Sequence, residues 1–254
     1  MPSFLITGSS RGLGLAFVTE LLKNPENKII ATARSTRTSK GLQDLAAQHT
    51  TDGRLVLLDL DVTDQRSIDT AAADVTLILP DGLDNLISNA GVNDQALVGF
   101  EDVNIDEFRQ EIDFNLTATI RLLRAFLPII RRGKKGGPRK IMQLSSVLGS
   151  IEIAASSPGL ASTYSVGKAA LNMLIRKWGA SLKQEDIITF VIHPGWVGAT
   201  EVGSAIAPYI EKYAPNLPNI PVEESAAGVI KVLGDAAIDD AGAFFNFDGT
   251  KLPW

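Results

Sequence analysis

Short apolar runs alternate with amphipathic stretches along the whole chain. The apolar runs are nearly continuous and rich in β-branched residues, which is typical of strands that are buried on both faces. They predict strands at residues 4–7, 28–33, 54–58, 85–88, 140–144, 187–192 and 243–246. The amphipathic stretches predict helices at residues 13–23, 40–48, 64–76, 106–130, 162–183 and 222–233.

This alternation of strands and helices defines a fold class. Strand–helix–strand repeats with short connections predict right-handed crossovers, and hence an α/β fold with a doubly wound, mostly parallel sheet of about seven strands and helices on both faces. No low-complexity linker interrupts residues 1–254, so we expect one domain. Two irregular stretches, residues 147–161 and 196–221, follow the fifth and sixth predicted strands. They should lie at the carboxyl ends of strands, where such sheets bind ligands.

Composition removes several kinds of chemistry. The chain has no cysteine and only two histidines, His49 and His193, which argues against a disulfide scaffold, a thiolate nucleophile and a metal site. Its formal net charge of −5 argues against nucleic acid as a partner, because phosphate contacts need a basic surface. No apolar run reaches the ~20 residues of a spanning helix, and the first strand begins too early for a signal peptide. We therefore expect a cytoplasmic protein that does not enter a membrane.

A glycine-rich turn follows the first strand. Residues 7–14 have the sequence TGSSRGLG and lead directly into an apolar helix. Such a turn lets backbone amides approach a pyrophosphate, and the helix N-terminus stabilises its charge. The turn therefore predicts a dinucleotide site, with contacts from Gly8, Ser10, Arg11, Gly12, Leu13 and Gly14.

The same segment also matches G-x-S-x-G, the nucleophile elbow of serine hydrolases. In that alternative, Ser10 would attack the substrate and His193 would be its base. The position of the motif speaks against this alternative, because such elbows normally follow a central strand that is reached after several others.

Two arginines bear on the identity of the nucleotide. An acidic residue about 20 residues beyond the glycine turn holds the ribose of NAD, whereas an arginine there accommodates the 2′-phosphate of NADP. The second predicted strand is followed by Arg34 and has no Asp or Glu at its end. Arg11 adds a second guanidinium within the turn, so the sequence favours NADP(H) over NAD(H).

Tyr164 and Lys168 are the candidate acid–base pair. Their i, i+4 spacing places them on one face of a predicted helix. A cation about 5 Å from the phenol, at an effective dielectric of about 20, would lower the tyrosine pKa by about two units. Desolvation opposes this effect, so the figure is an upper limit.

Other small polar residues follow successive strands. They are Asn89, Ala90 and Gly91 after the fourth, Ser145 and Ser146 after the fifth, and His193, Pro194, Gly195 and Val197 after the sixth, with Asn115 in the long helix between. Together with the glycine turn and Tyr164-x-x-x-Lys168, these motifs span the chain in order. The chain thus resembles the single-domain short-chain dehydrogenases/reductases of Rossmann type, above all the sniffer-like and C-factor-like carbonyl reductases.

The resemblance implies a role for each catalytic candidate. Tyr164 would donate a proton to the carbonyl oxygen, and Lys168 would lower the pKa of Tyr164 and bind the nicotinamide ribose. Ser146 would hydrogen-bond the substrate oxygen, and Asn115 would hold a water in a proton relay. The implied cofactor contacts include Tyr164, Lys168 and the glycine turn, and further Arg34, Asp61, Val62, Asn89, Ala90, Gly91, Pro194, Gly195, Val197 and Thr200.

Two positions depart from the family pattern. Ser146 and Tyr164 are 18 positions apart, a longer spacing than the family usually has, so the loop between them should shape the substrate pocket. Gly198 and Ala199 displace the usual threonine to Thr200, which puts its cofactor contact in doubt.

The predicted function is NADPH-dependent reduction of a ketone or aldehyde by hydride transfer, with Tyr164 as general acid. The substrate should be a small, moderately hydrophobic carbonyl compound. One alternative is an NADP-binding regulatory protein without turnover. The long predicted helices at residues 106–130 and 162–183 resemble those that pair in dimeric members of the family, so the sequence leaves a homodimer open.

Overall fold

A computed structural model describes residues 1–49, 53–133, 137 and 139–254. Seven strands form one sheet in the order β3-β2-β1-β4-β5-β6-β7, and every neighbouring pair is parallel. The strands are β1 (Ser3–Ile6), β2 (Lys28–Ala33), β3 (Leu55–Asp59), β4 (Asn85–Ser88), β5 (Arg139–Leu144), β6 (Ile187–His193) and β7 (Phe244–Asn246). The predicted α/β fold is thereby confirmed.

Helices cover both faces of the sheet. They are α1 (Gly12–Leu22), α2 (Lys40–Gln48), α3 (Gln65–Ile78), α4 (Ile105–Ile112), α5 (Ala118–Arg132), α6 (Ser162–Leu182), α7 (Glu201–Ala205), α8 (Ala207–Tyr213) and α9 (Val222–Asp235). Within the described ranges, none of these helices is long and apolar enough to cross a bilayer.

The core lies in two layers, one on each face of the sheet. Along β1, Leu5 and Ile6 are both fully buried but belong to opposite layers, as the alternation of side chains in a strand requires. Phe17 of α1 fills the layer that also contains Ile6, and Phe126 of α5 fills the other. Burial on both faces explains why the strands have continuous apolar sequences.

The order of the strands reverses next to β1. The chain builds outward from β1 to β3 and then crosses to β4, which pairs with β1 on its other side. The loops that leave β1 and β4 therefore diverge and leave a crevice at the carboxyl edge, where doubly wound sheets bind ligands.

Two regions differ from their predicted secondary structure. The helix predicted at residues 106–130 begins at Ile105 and is interrupted by a π-helical turn, Asp113–Thr117, between α4 and α5. The π turn spans only five residues, too few for the apolar pattern of the sequence to distinguish it from the α-helix on either side. The stretch 196–221, predicted as irregular, contains α7 and α8, which are too short to show a clear period.

Candidate active site

A cleft of about 620 Å³ opens at the carboxyl edge of the sheet. It lies where the strand order reverses and extends beneath α7 and α8. All but one of the predicted site residues line it: Gly8, Ser10, Arg11, Gly12, Leu13, Gly14, Arg34, Asp61, Val62, Asn89, Ala90, Gly91, Ser146, Tyr164, Lys168, Pro194, Gly195, Val197 and Thr200. The exception is Asn115.

The glycine turn forms one wall of the cleft and has the geometry of a phosphate cradle. Gly8 and Gly12 have φ of +68° and +55°, a backbone conformation that favours glycine. A Cβ at Gly14 would lie 2.1 Å from the Gly8 carbonyl oxygen, so this position allows no side chain. Arg11, which precedes α1, makes no side-chain hydrogen bond to the first amides of the helix. Such a helix N-terminus suits a pyrophosphate.

Asn89 holds this cradle against the sheet. Its Nδ2 donates to the carbonyl oxygens of Thr7 at 2.9 Å and Gly8 at 3.1 Å. The backbone amides of Asn89 and Ala90 donate in turn to the Thr7 hydroxyl, at 3.0 and 3.2 Å. The end of β4 and the glycine turn are therefore one hydrogen-bonded unit, and Asn89 supports the turn through its side chain.

The two candidate phosphate-binding arginines lie at the mouth of the cleft. Arg34 follows β2 and is exposed. Arg11 forms an ion pair with Glu201 at the start of α7, and both side chains are largely exposed. Glu201 could not be identified from the sequence, because nothing in its local pattern shows that α7 packs across from the glycine turn.

The remaining cofactor candidates have structural partners of their own. Oδ1 of Asp61 accepts hydrogen bonds from the backbone amide and the hydroxyl of Thr63. The Thr200 hydroxyl donates to the Val197 carbonyl at 2.8 Å and accepts from the Gly203 amide at 3.0 Å, which caps α7. Because the Thr200 hydroxyl already donates its proton to Val197, it could only accept a hydrogen bond from a cofactor. This contact stays a prediction.

Tyr164, Ser146 and Lys168 meet at the inner end of the cleft. All three are buried, and Ser146 lies close enough to Tyr164 to act on its pKa. The Lys168 Nζ lies 5.4 Å from the centre of the Tyr164 ring and donates to the Leu144 carbonyl at 2.9 Å. The neighbouring Ser145 instead donates to Oδ1 of Asn172 at 2.6 Å. Ser146 is therefore the serine of the two that acts on Tyr164, and its catalytic role stays a prediction.

Burial controls the protonation of this group. It raises the pKa of Tyr164 well above its ordinary value, against the opposing effect of the Ser146 hydrogen bond. Burial also lowers the pKa of Lys168 to about 8. The pKa of Tyr164 therefore lies above its ordinary value, and the lower pKa that was expected from Lys168 is not found, because desolvation dominates. Tyr164 is a neutral phenol at neutral pH, as a proton donor must be.

Asn115 occupies the π turn rather than the wall of the cleft. Its Oδ1 accepts from the Val92 amide at 3.2 Å, and its Nδ2 donates to the Val92 carbonyl at 2.9 Å. A Cβ at Gly91 would lie 3.3 Å from Oδ1 of Asn115 and 3.6 Å from Nζ of Lys168, so the asparagine stays close to the lysine. Its side chain fixes the loop after β4, and a role in a proton relay stays a prediction.

Apolar side chains form the part of the cleft beyond Tyr164. They are Val92, Phe114, Val147, Leu148, Leu160, Trp196, Val202, Ile206, Ile210 and Leu217. The Tyr209 hydroxyl donates to the Pro158 carbonyl at 3.3 Å and so links α8 to the long loop that follows Ser146. Both irregular stretches of the sequence therefore contribute to this wall, as expected from their positions after β5 and β6.

Two observations bear on other chemistries. Burial lowers the pKa of His193 to about 4, so its imidazole is neutral and a weak base at neutral pH. This argues against the hydrolase alternative, in which His193 would activate Ser10. Among the described residues, no group of three or more histidines and carboxylates could hold a metal ion.

Comparisons with known proteins agree with this geometry. The short chain dehydrogenase family matches residues 3–209. The short-chain dehydrogenase/reductase AacuF of Aspergillus aculeatus is 32% identical, over 99% of both chains. The NADPH-bound carbonyl reductase from chicken fatty liver superimposes with a TM-score of 0.86 at 32% identity, over 100% of this chain and 99% of that one. The carbonyl reductase Sniffer of Drosophila melanogaster gives a TM-score of 0.88 at 30% identity, over 100% of both chains. The chain belongs to the short-chain dehydrogenase/reductase family of oxidoreductases.

Proposed function

We propose that this protein is an NADPH-dependent carbonyl reductase that converts a ketone or aldehyde to an alcohol, as one domain over residues 1–254. The observation that carries the proposal is the burial of Tyr164, Ser146 and Lys168 together, in the same cleft as the glycine turn. A phenol, a hydroxyl and an ammonium at one point can bind and protonate a carbonyl oxygen.

Several residues would hold the cofactor. The amides of the glycine turn and the start of α1 face the position that a pyrophosphate would take. Arg11 and Arg34 line the same cleft and would bind the 2′-phosphate through charge-assisted hydrogen bonds. Three of the similar solved structures, including the chicken carbonyl reductase, are described as bound to NADPH or NADP, which supports the same choice here.

The residues of the chain then have distinct tasks. When bound, NADPH supplies the hydride that reduces the carbonyl carbon. Tyr164 donates its phenolic proton to the carbonyl oxygen, and Ser146 donates a hydrogen bond to the same oxygen. The positive charge of Lys168 stabilises the phenolate that is left on Tyr164. Because burial keeps Tyr164 protonated, the site is suited to the reductive direction at neutral pH.

The wall of the cleft indicates the kind of substrate. Its apolar side chains are aliphatic and aromatic, and the carboxylate of Asp94 also lines the cleft. An anionic substrate such as a keto acid would meet repulsion there, whereas a neutral, moderately hydrophobic ketone or aldehyde would not. A homodimer stays a prediction from the sequence resemblance.

The proposal is tested by following NADPH oxidation with neutral diketones, quinones, aromatic ketones and keto acids of matched size. We expect turnover with neutral carbonyl compounds, little with keto acids, and a strong preference for NADPH over NADH. Tight NADPH binding without turnover on any carbonyl compound would contradict the proposal and favour the regulatory alternative.

A further inference from the structure

Glu111 is a buried carboxyl that the proposed mechanism does not use. It lies in the last turn of α4 and is 1% exposed. Its Oε2 accepts a hydrogen bond from the hydroxyl of Thr163 at 2.7 Å, and its Oε1 has no hydrogen-bond partner. Burial of a carboxyl with one unsatisfied oxygen is costly, so a compensating interaction should lie nearby.

Lys168 is the candidate for that interaction, because Asn115, four residues after Glu111, lies close to the Lys168 Nζ beside Gly91. Thr163 directly precedes Tyr164 in α6, and its hydrogen bond brings Glu111 against the helical turn that also carries the active-site tyrosine. Lys168 is 4% exposed, and its one hydrogen bond among the described residues is to a neutral backbone carbonyl. A buried ammonium without a nearby negative charge tends to lose its proton.

Among the described residues, the other ionisable groups around Lys168 do not supply a comparable negative charge. Tyr164 on the same helix and His193 at the end of β6 are neutral at neutral pH. Asp94, in the loop after β4, is exposed, and its field acts on Glu111 by raising the carboxyl pKa. Among the described residues, Glu111 is the charged group whose field raises the pKa of Lys168 against the effect of burial.

We propose that Glu111 is the counter-charge of Lys168, a positioning residue that keeps the ammonium protonated inside the cleft. The charge relation between Glu111 and Lys168 is independent of the proposed function. Its importance for catalysis rests on that function, in which Lys168 acts as a cation. Burial raises the pKa of Glu111 above its ordinary value, while the hydrogen bond from Thr163 and the charge of Lys168 act in the opposite direction.

The matched variants are Glu111→Gln and Glu107→Gln. Gln at 111 keeps the shape and can still accept from Thr163, but it removes the charge. Glu107 lies one turn earlier in α4 and is exposed, so Glu107→Gln removes the same charge from the solvent side. A merely structural role for Glu111 would therefore leave the titration of Lys168 unchanged in both variants.

The test is an NMR titration of protein with carbon-13 at the lysine Cε, without cofactor or substrate, in which the Lys168 signal is assigned by its loss in Lys168→Arg. We expect a midpoint near pH 8 in the native protein and in Glu107→Gln. In Glu111→Gln the midpoint should fall by about one pH unit or more, because the opposite charge that favours the ammonium has been removed. An unchanged midpoint in Glu111→Gln would overturn the proposal.

A second charge-removing variant guards against misfolding. Glu111→Met has a similar volume and removes both the charge and the unsatisfied oxygen, so it tests the loss of charge with a second, apolar side chain. It should lower the Lys168 midpoint like Glu111→Gln, whereas Glu111→Asp should restore most of the native value. Since the titration needs no turnover, a shifted midpoint in a protein that reduces no carbonyl would overturn the proposed function alone.

Discussion

The two ends of the cleft are built in different ways. At the inner end, Tyr164, Lys168 and Ser146 are buried, and backbone groups of Leu144 and Leu148 hydrogen-bond the lysine and the serine. At the mouth, Arg11 and Arg34 are exposed, and Arg11 pairs with a carboxylate of α7. The inner end is therefore preorganised by the fold, whereas the side chains at the mouth must be ordered by what they bind.

The largest expected effect concerns the inner end. Tyr164→Phe removes the phenolic proton but keeps the ring and its packing, so turnover should fall by about 10²–10⁴-fold. The NADPH dissociation constant should change little, because no phosphate contact is lost. Steady-state kinetics and NADPH fluorescence titration measure the two quantities, and unchanged turnover would show that Tyr164 is not the acid.

The two adjacent serines sharpen the same point. Ser146→Ala should reduce kcat by about 10²-fold, since a donor to the reacting oxygen is lost. Ser145→Ala should reduce kcat by less than tenfold, because the hydroxyl of Ser145 donates its hydrogen bond to Asn172 rather than to the substrate. Its effect should instead be a loss of about 1 kcal/mol in the free energy of unfolding, measured by urea denaturation. Equal losses of kcat would mean that the two hydroxyls are not distinguished as the structure indicates.

At the mouth, a charge reversal should separate the two nicotinamide cofactors. Arg34→Asp should weaken NADPH binding by about 10–100-fold, the value of a charge-assisted hydrogen bond, and NADH binding by much less. Arg109→Asp, on the exposed side of α4, is the matched control and should change neither. Equal losses for the two cofactors in Arg34→Asp would contradict the assignment of Arg34 to the 2′-phosphate.

The smallest effect is expected at the ion pair across the mouth. Glu201→Gln frees Arg11 from its partner and should strengthen NADPH binding by a few-fold at low salt, because exposed ion pairs contribute about 0–1 kcal/mol. The gain should disappear at high salt through screening. Weaker NADPH binding in Glu201→Gln would mean that Glu201 supports the cofactor rather than competing for Arg11.

The same contrast explains how far the sequence could predict the site. Gly8, Gly12 and Gly14 are predictable because the turn demands them for local reasons, and Tyr164 and Lys168 because helical spacing places both on one face. Glu111 and Glu201 act through residues that are distant in the chain, so their roles depend on how α4 packs on α6 and how α7 crosses to the glycine turn. The local sequence patterns of α4 and α7 do not indicate such packing.

The fold shows the same limit. Continuous β-branched runs predict the parallel sheet and its strands to within about a residue, which is the usual uncertainty of element boundaries. The π turn at Asn115 and the short helices α7 and α8 were not predictable, because each is set by contacts with the rest of the cleft rather than by periodicity.

The central claim is hydride transfer to a carbonyl carbon at a site where Tyr164 is the acid. Its most direct test uses NADPH with deuterium in both positions at C4, a neutral ketone that the native protein reduces, and mass spectrometry of the alcohol. We predict one deuterium on the carbinol carbon with the native protein and almost no product with Tyr164→Phe. An alcohol without deuterium, or equal labelled product from both proteins, would contradict the account.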